Sequence, residues 1–205
     1  IRDRRDNHVY RITTIGSQVW MAENLNYTFD SLSVNRKNHA VYCNANPEDN
    51  TLCAKYGSYY IWGAAMGGKF LPDTYYPYAC GNLVECDSSG INRGACPEGW
   101  HLPSLAEFEI LFETVGGIDS AGLKLKSLDG WWGDARGLDE YDFTAFPAGM
   151  CENGVCNYVG INAYFWTSTE IESSHVYVGI GGAISVVTHG IDGPPLALSV
   201  RCVKD

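Results

Sequence analysis

Cys96-Pro97-Glu98-Gly99-Trp100-His101-Leu102-Pro103-Ser104, with the helix it launches, decides the reading of this chain. Cys96-Pro97 and Pro103 bracket a rigid entry. Ser104 is placed to act as an N-cap, with Glu107 three residues on as its capping-box partner. Leu105, Phe108, Leu111, Phe112 and Val115 recur at helical spacing and give one buried face. Gly116-Gly117 ends the helix. Trp100, just before it, is expected to pack underneath.

Around this centre lie 205 residues, enough for one ample core. Charged residues make up only 19%, while Gly, Tyr and Trp are frequent, a profile of a folded, turn-rich chain. The net charge of −10 repels a phosphate backbone, so nucleic acid is excluded as a partner, and an anionic membrane surface is disfavoured likewise. There is no apolar run near the length of a membrane span. A membrane contact is expected only through an anchor outside these residues.

Eight cysteines form no CxxC knuckle of the kind zinc sites favour. Cys43–Cys53, Cys80–Cys86 and Cys151–Cys156 are close in sequence and lie in polar, turn-rich stretches. That leaves Cys96–Cys202, which closes most of the C-terminal half. Eight cysteines allow about 105 pairings, so this set is an expectation. Disulfides at this density imply an oxidising, extracellular or cell-surface location.

Upstream of the centre, residues 9–15 alternate and are β-branched, Gly16-Ser17 turns, and residues 18–22 return as the second strand of a hairpin. Tyr56, Tyr60 and Ala64 stand at i, i+4 and i+8, which fits a short helix. Residues 67–95 read as a long, disulfide-stapled loop insertion within a single domain spanning 1–205. Downstream, residues 121–127 read as a short alternating segment. Residues 133–142 are acidic and turn-rich. Residues 164–169, 176–180, 184–188 and 198–203 read as strands. The fold class is α+β: an N-terminal hairpin, one or two helices, then an antiparallel sheet, with long loops and about four disulfides.

These words resemble one family in order. Residues 15–27 (IGSQVWMAENLNY), 56–62 (YGSYYIW), 96–104 (CPEGWHLPS), 121–127 (AGLKLKS), 143–149 (FTAFPAG), 165–170 (FWTSTE) and 199–205 (SVRCVKD) are similar to the Fibrobacter succinogenes major paralogous domain. The resemblance covers nearly the whole chain and is weakest over 67–95. It implies a bacterial extracytoplasmic module, distantly like the C-type-lectin and formylglycine-generating-enzyme folds. It further implies a surface or secreted domain with adhesion roles, and names neither a ligand nor a reaction.

Chemistry-bearing motifs are sparse. There is no GxSxG elbow, HExxH or EF-hand loop. His101, between Trp100 and Leu102-Pro103, reads as a packed structural histidine. No paired carboxylates point to a glycosidase. Asp139, Glu140 and Asp142 are hard oxygen donors of the kind calcium takes, although a solvated acidic loop explains them more plainly. The calcium-dependent sugar words of the C-type lectins, EPN or QPD with WND, are absent. No other cofactor is indicated. Flat aromatics remain: Tyr75, Tyr76, Tyr78, Trp131, Trp132 and Tyr141. Adjacent residues of an extended segment point to opposite faces, so only one of Trp131 and Trp132 is expected outside.

The sequence therefore leads to a non-enzymatic recognition or adhesion domain. Variable aromatic and acidic loops at 67–95 and 129–142 would meet a polysaccharide or a surface protein. The alternative is a structural domain, such as the globular head of a surface filament or a part of an outer-membrane complex. A cryptic hydrolase stands third.

Overall fold

A computed structural model describes residues 1–28, 41–42, 51–67, 91–152, 155–172, 174–181, 184–189 and 196–205. In chain order the elements are β1 (Ile12–Ile15), β2 (Gln18–Met21), β3 (Val41–Tyr42), α1 (Thr51–Tyr56), β4 (Tyr59–Ile61), α2 (Trp62–Ala65), β5 (Trp100–His101) and α3 (Leu105–Thr114). They continue with α4 (Ile118–Leu125), β6 (Met150–Glu152), β7 (Val155–Asn157), β8 (Asn162–Ile171), β9 (Ser174–Gly181), β10 (Ile184–His189), β11 (Leu196–Ser199) and β12 (Val203–Lys204). Among the described residues these strands form two sheets. One runs β1-β2-β12-β5, the other β10-β9-β8-β11-β4-β3, with β6 on β11 and β7 on β6. All pairings are antiparallel except β8 with β11. The architecture is α+β with four short helices.

Helix α3 starts as its sequence dictates. The Ser104 side chain accepts the Glu107 N–H, and Glu107 Oε2 accepts the Ser104 N–H at 2.8 Å. Phe108, Leu111, Phe112 and Val115 are buried. Each such side chain contributes about 1.5–3 kcal/mol by leaving water. The ring beneath the helix is Trp20 of β2, its centroid 5.0 Å from Phe108. Trp100 instead packs in a second core with Met66, Leu102 and the Cys96–Cys202 bridge. The reason is strand parity: neighbours on β5 point oppositely, so His101 faces α3 while Trp100 faces away.

Three elements differ from the sequence reading. Residues 198–203, read as one strand, divide into the end of β11 in one sheet and β12 in the other, with 200–202 outside both. The Tyr56–Ala64 stretch is not one helix. Gly57, at φ 78°, ends α1, and Tyr59-Tyr60-Ile61 forms a strand between β11 and β3. All three side chains of that strand are buried, so it carries no polar alternation. Residues 118–125 form a helix rather than an alternating segment, since Ala121, Gly122 and Leu125 share its buried face at i, i+1 and i+4. Strands β6 and β7 form a hairpin that carries the Cys151–Cys156 bridge, with the two cysteines directly opposed.

The long bridge, Cys96–Cys202, spans a sequence separation of 106 with 5.9 Å between Cα atoms. It joins the entry to β5 with the residue before β12, and β5 pairs with β12 through His101–Val203 and Trp100–Lys204. Cys53 is also disulfide-bonded. Cys43, Cys80 and Cys86 lie outside the described residues. No helix among the described residues is long and apolar enough to cross a membrane.

Arg201 sits at the junction of the two cores and is completely buried. Its guanidinium donates to Asn24 Oδ1 at 2.6 and 3.1 Å, to the carbonyls of Met21 (3.2 Å) and Thr144 (3.3 Å), and to that of Phe143. Its carbon centre lies 4.6 Å from the Phe143 ring centroid. Burial pulls its pKa from 12.5 down to about 9, with Glu23 and Asp139 pulling the other way. Asn24 in turn donates to the Tyr56 carbonyl and Ser199 Oγ. One arginine thus ties β2, the 143–144 turn and the C-terminal strands together.

Candidate functional site

The site is built on residues 126–137 and the turn at 158–161. Lys126 and Trp131 anchor it. Lys126 is buried, donates to the Ala135 carbonyl at 2.6 Å, and holds its ammonium 4.8 Å from the Trp131 ring centroid. Burial lowers its pKa. Trp131 is 7% exposed, and its indole N–H donates to Ser127 Oγ at 3.0 Å. Both of these groups hold the loop from below.

Trp132, the next residue, is 78% exposed. Its backbone N–H donates to the Gly160 carbonyl at 2.7 Å, and its own carbonyl accepts the Ala135 N–H at 3.3 Å. Gly130 and Gly133 take φ of 85° and 58°, the left-handed region that a side chain disfavours, and so let the chain turn on both sides. The hydrogen bond to Gly160 joins this loop to a second turn, which carries the exposed Tyr158 and Ile161. Asp129, Asp134 and Arg136 stand exposed beside Trp132 in sequence. The arrangement is an outward aromatic face on a hydrogen-bonded loop, with another aromatic on the tied turn and charged residues close in sequence. A face of this chemistry can stack on the C–H side of a sugar ring, and carboxylates can accept hydroxyl hydrogens.

The remaining sequence candidates fall differently. Trp131 is covered and offers no free face. Tyr141 is half-buried against the core around α3, and its carbonyl accepts the Thr13 hydroxyl at 2.6 Å. Tyr75, Tyr76 and Tyr78 lie outside the described residues. The three acids at 139–142 are turned to separate tasks. Asp139 caps the following turn, accepting the Thr144 N–H at 2.7 Å and its hydroxyl at 2.9 Å. Glu140 stands 3.9 Å from the Lys124 ammonium, and Asp142 is exposed. Among the described residues no three His, Cys, Asp or Glu side chains gather as a metal would need.

His101 is a structural bridge. Its Nε2 meets Glu107 Oε1 at 2.7 Å and its Nδ1 meets Asp205 Oδ1 at 2.8 Å. Burial pulls its pKa down, but the bonds and charges of Glu107 and Asp205 outweigh that and raise it. Glu107 is likewise pushed up by burial and brought down further by His101 and Ser104, ending lowered. With a carboxylate on each ring nitrogen, His101 turns none toward a hydroxyl. His175 lies stacked on Trp62, centroids 3.9 Å apart, as part of the packing.

Sequence reasoning missed Tyr158 and Arg201. Tyr158 has a positive φ of 60°, a backbone cost that no sequence pattern announced. The signal for Arg201 was a charge set between Val200 and Cys202 in an otherwise apolar stretch.

Compared with known proteins, residues 13–204 match the model of the Fibrobacter succinogenes major domain. No curated protein and no solved structure matches the chain.

Proposed function

The chain belongs to the Fibrobacter succinogenes major domain family, a family of extracytoplasmic bacterial modules, and from that premise we propose that it is a non-enzymatic recognition domain that binds polysaccharide through the Trp132 loop. One observation carries the reading. Of six tryptophans, Trp20, Trp62, Trp100, Trp131 and Trp166 are at most 7% exposed, while Trp132 is 78% exposed. A chain that buries its other indoles leaves this one in water, on a loop pinned from below and from the side. An exposed tryptophan of this kind costs solvation free energy that a stacked sugar ring would recover.

The exported location fits the same reading, since disulfides mark an oxidising compartment where cell-surface polymers are met. We also infer a C-type-lectin-like fold. It is supported by the last strand lying between β2 and β5, the two helices α3 and α4, and the long bridge to Cys202. In that reading the sugar site does not need calcium. Binding of soluble plant and bacterial polysaccharides, measured by glycan array and titration calorimetry, tests the proposal. Saturable binding that falls about tenfold in Trp132→Ala, with an unchanged melting temperature, supports it. Binding equal in parent and variant sinks it, as does no binding to any polysaccharide.

A further inference from the structure

A second site lies elsewhere on the molecule and shares no residue with the Trp132 loop. A cleft of about 300 Å³ opens between the first five residues and the 93–100 segment. Four arginines line it, Arg2, Arg4, Arg5 and Arg93, out of fourteen basic residues in a chain of net charge −10. Two carboxylates, Asp3 and Glu98, share the lining, and the buried Pro97 and Trp100 form its apolar wall.

The charges are not equivalent. Asp3 is almost wholly buried and committed to Arg5, with bonds of 2.6 to 3.1 Å. Arg5 also donates to the Ala95 carbonyl at 2.8 Å and lies over the Tyr27 ring, so it is part of the wall. Arg4 reaches Glu98 only at 3.5 Å, with side chains 88% and 77% exposed, a contact of little energy in water. Arg93 is exposed and donates its Nε to the Cys96 carbonyl at 3.2 Å, and among the described residues its terminal nitrogens make no hydrogen bond. Arg2 is exposed, and its side chain makes no hydrogen bond or ion pair among the described residues. The cleft therefore holds uncommitted guanidinium donors, which suit the two oxygens of a carboxylate. It also holds an acceptor, Glu98, for hydroxyl donors, and an apolar wall.

We propose that this cleft binds a carboxylate-bearing, polyhydroxylated ligand the size of one sugar acid. A phosphate ester is the poorer fit, because two carboxylates in the lining oppose its higher charge while offering nothing to its acceptor-only oxygens. The cavity lies at the small end of the range for organic ligands, which suits a single ring. The site is independent of the Trp132 platform: a neutral polymer could occupy that loop with the cleft empty.

Titration of the whole chain with glucuronate, glucose, acetate and inorganic sulfate, followed by calorimetry and by NMR shifts of arginine Nε–H groups, tests the assignment. Glucuronate is expected to bind saturably, and glucose not at all. Acetate and sulfate should bind at least tenfold more weakly. Arg93→Gln and Arg2→Gln should each weaken glucuronate about fivefold or more, the size of one charge-assisted bond, while Trp132→Ala leaves it unchanged. Should Arg93→Gln melt early, Arg2→Gln carries the test, since its side chain is exposed and makes no bond among the described residues. Equal affinity for glucose, equal affinity for sulfate or acetate, or binding unmoved by Arg2→Gln would each overturn the proposal.

Discussion

Removing the Cys96–Cys202 bridge by a Cys96→Ala/Cys202→Ala change should cost far more stability than removing Cys151–Cys156. The two bridges close sequence separations of 106 and 5. In the chain-entropy model the first restricts the unfolded chain by about 4.8 kcal/mol and the second by about 2.2 kcal/mol. Three of the four cysteines are completely buried, so the loss of packed sulfur is similar in both variants and the difference of about 2.6 kcal/mol comes from the loops. At a few degrees per kcal/mol for a chain of this size, the long-bridge variant should melt about 10–19 °C below the parent. Equilibrium urea unfolding of the two double variants checks the figure. The long-bridge variant should also show a steeper denaturant slope, because its unfolded chain is released over half the sequence. Equal losses in the two variants, or a long-bridge variant as stable as the parent, would refute the placement of this bridge as the clamp between β5 and β12.

Other perturbations separate the remaining parts. Arg201→Met should lose at least about 3 kcal/mol by urea unfolding, because several buried carbonyls and the Asn24 amide oxygen lose their donors together. Arg201→Lys should recover little, since one ammonium cannot reach all of them. Trp131→Ala should cost about 3–5 kcal/mol as a cavity, while Trp132→Ala should stay within about 0.5 kcal/mol of the parent. The His101 bridge predicts a pH profile with a definite sign. Its raised pKa gives stability that is complete below its ordinary 6.5 and is lost as pH rises through the raised value. Glu107, lowered, gives stability that is present above its ordinary 4.5 and is lost as pH falls through the lowered value. Unfolding free energy should therefore decline as pH rises above 6.5, and His101→Asn should flatten that decline; an unchanged slope in the variant would remove the bridge from the account.

What the sequence made legible follows from how local the determining forces are. Ser104 and Glu107 interact within one turn, so their capping box was readable three residues apart. The hairpin of β1 and β2 and the strands β8 to β10 rest on local runs of β-branched and aromatic residues and were equally clear. What failed was decided by distant neighbours. Tyr59 and Tyr60 are spaced like a helix from Tyr56, yet pairing with Leu198 and Ser199 from the far end of the chain makes them a strand. Residues 121–125 alternate in sequence, and only their seat against the core shows that α4 buries Ala121 with Leu125. The site divides the same way. That one of Trp131 and Trp132 faces outward could be read from parity, but not which of the two. Tyr158 and the Gly160 bond that ties its turn to the loop join segments about thirty residues apart, and no local pattern reports them.

Trp132 is proposed here as a binding surface and not an idle exposed ring. Calorimetric titration of the parent and Trp132→Ala with the polysaccharide that binds best on an array tests it most directly, with both melting curves recorded alongside. Affinity should fall about tenfold or more at an unchanged melting temperature. Undiminished binding by Trp132→Ala would contradict it.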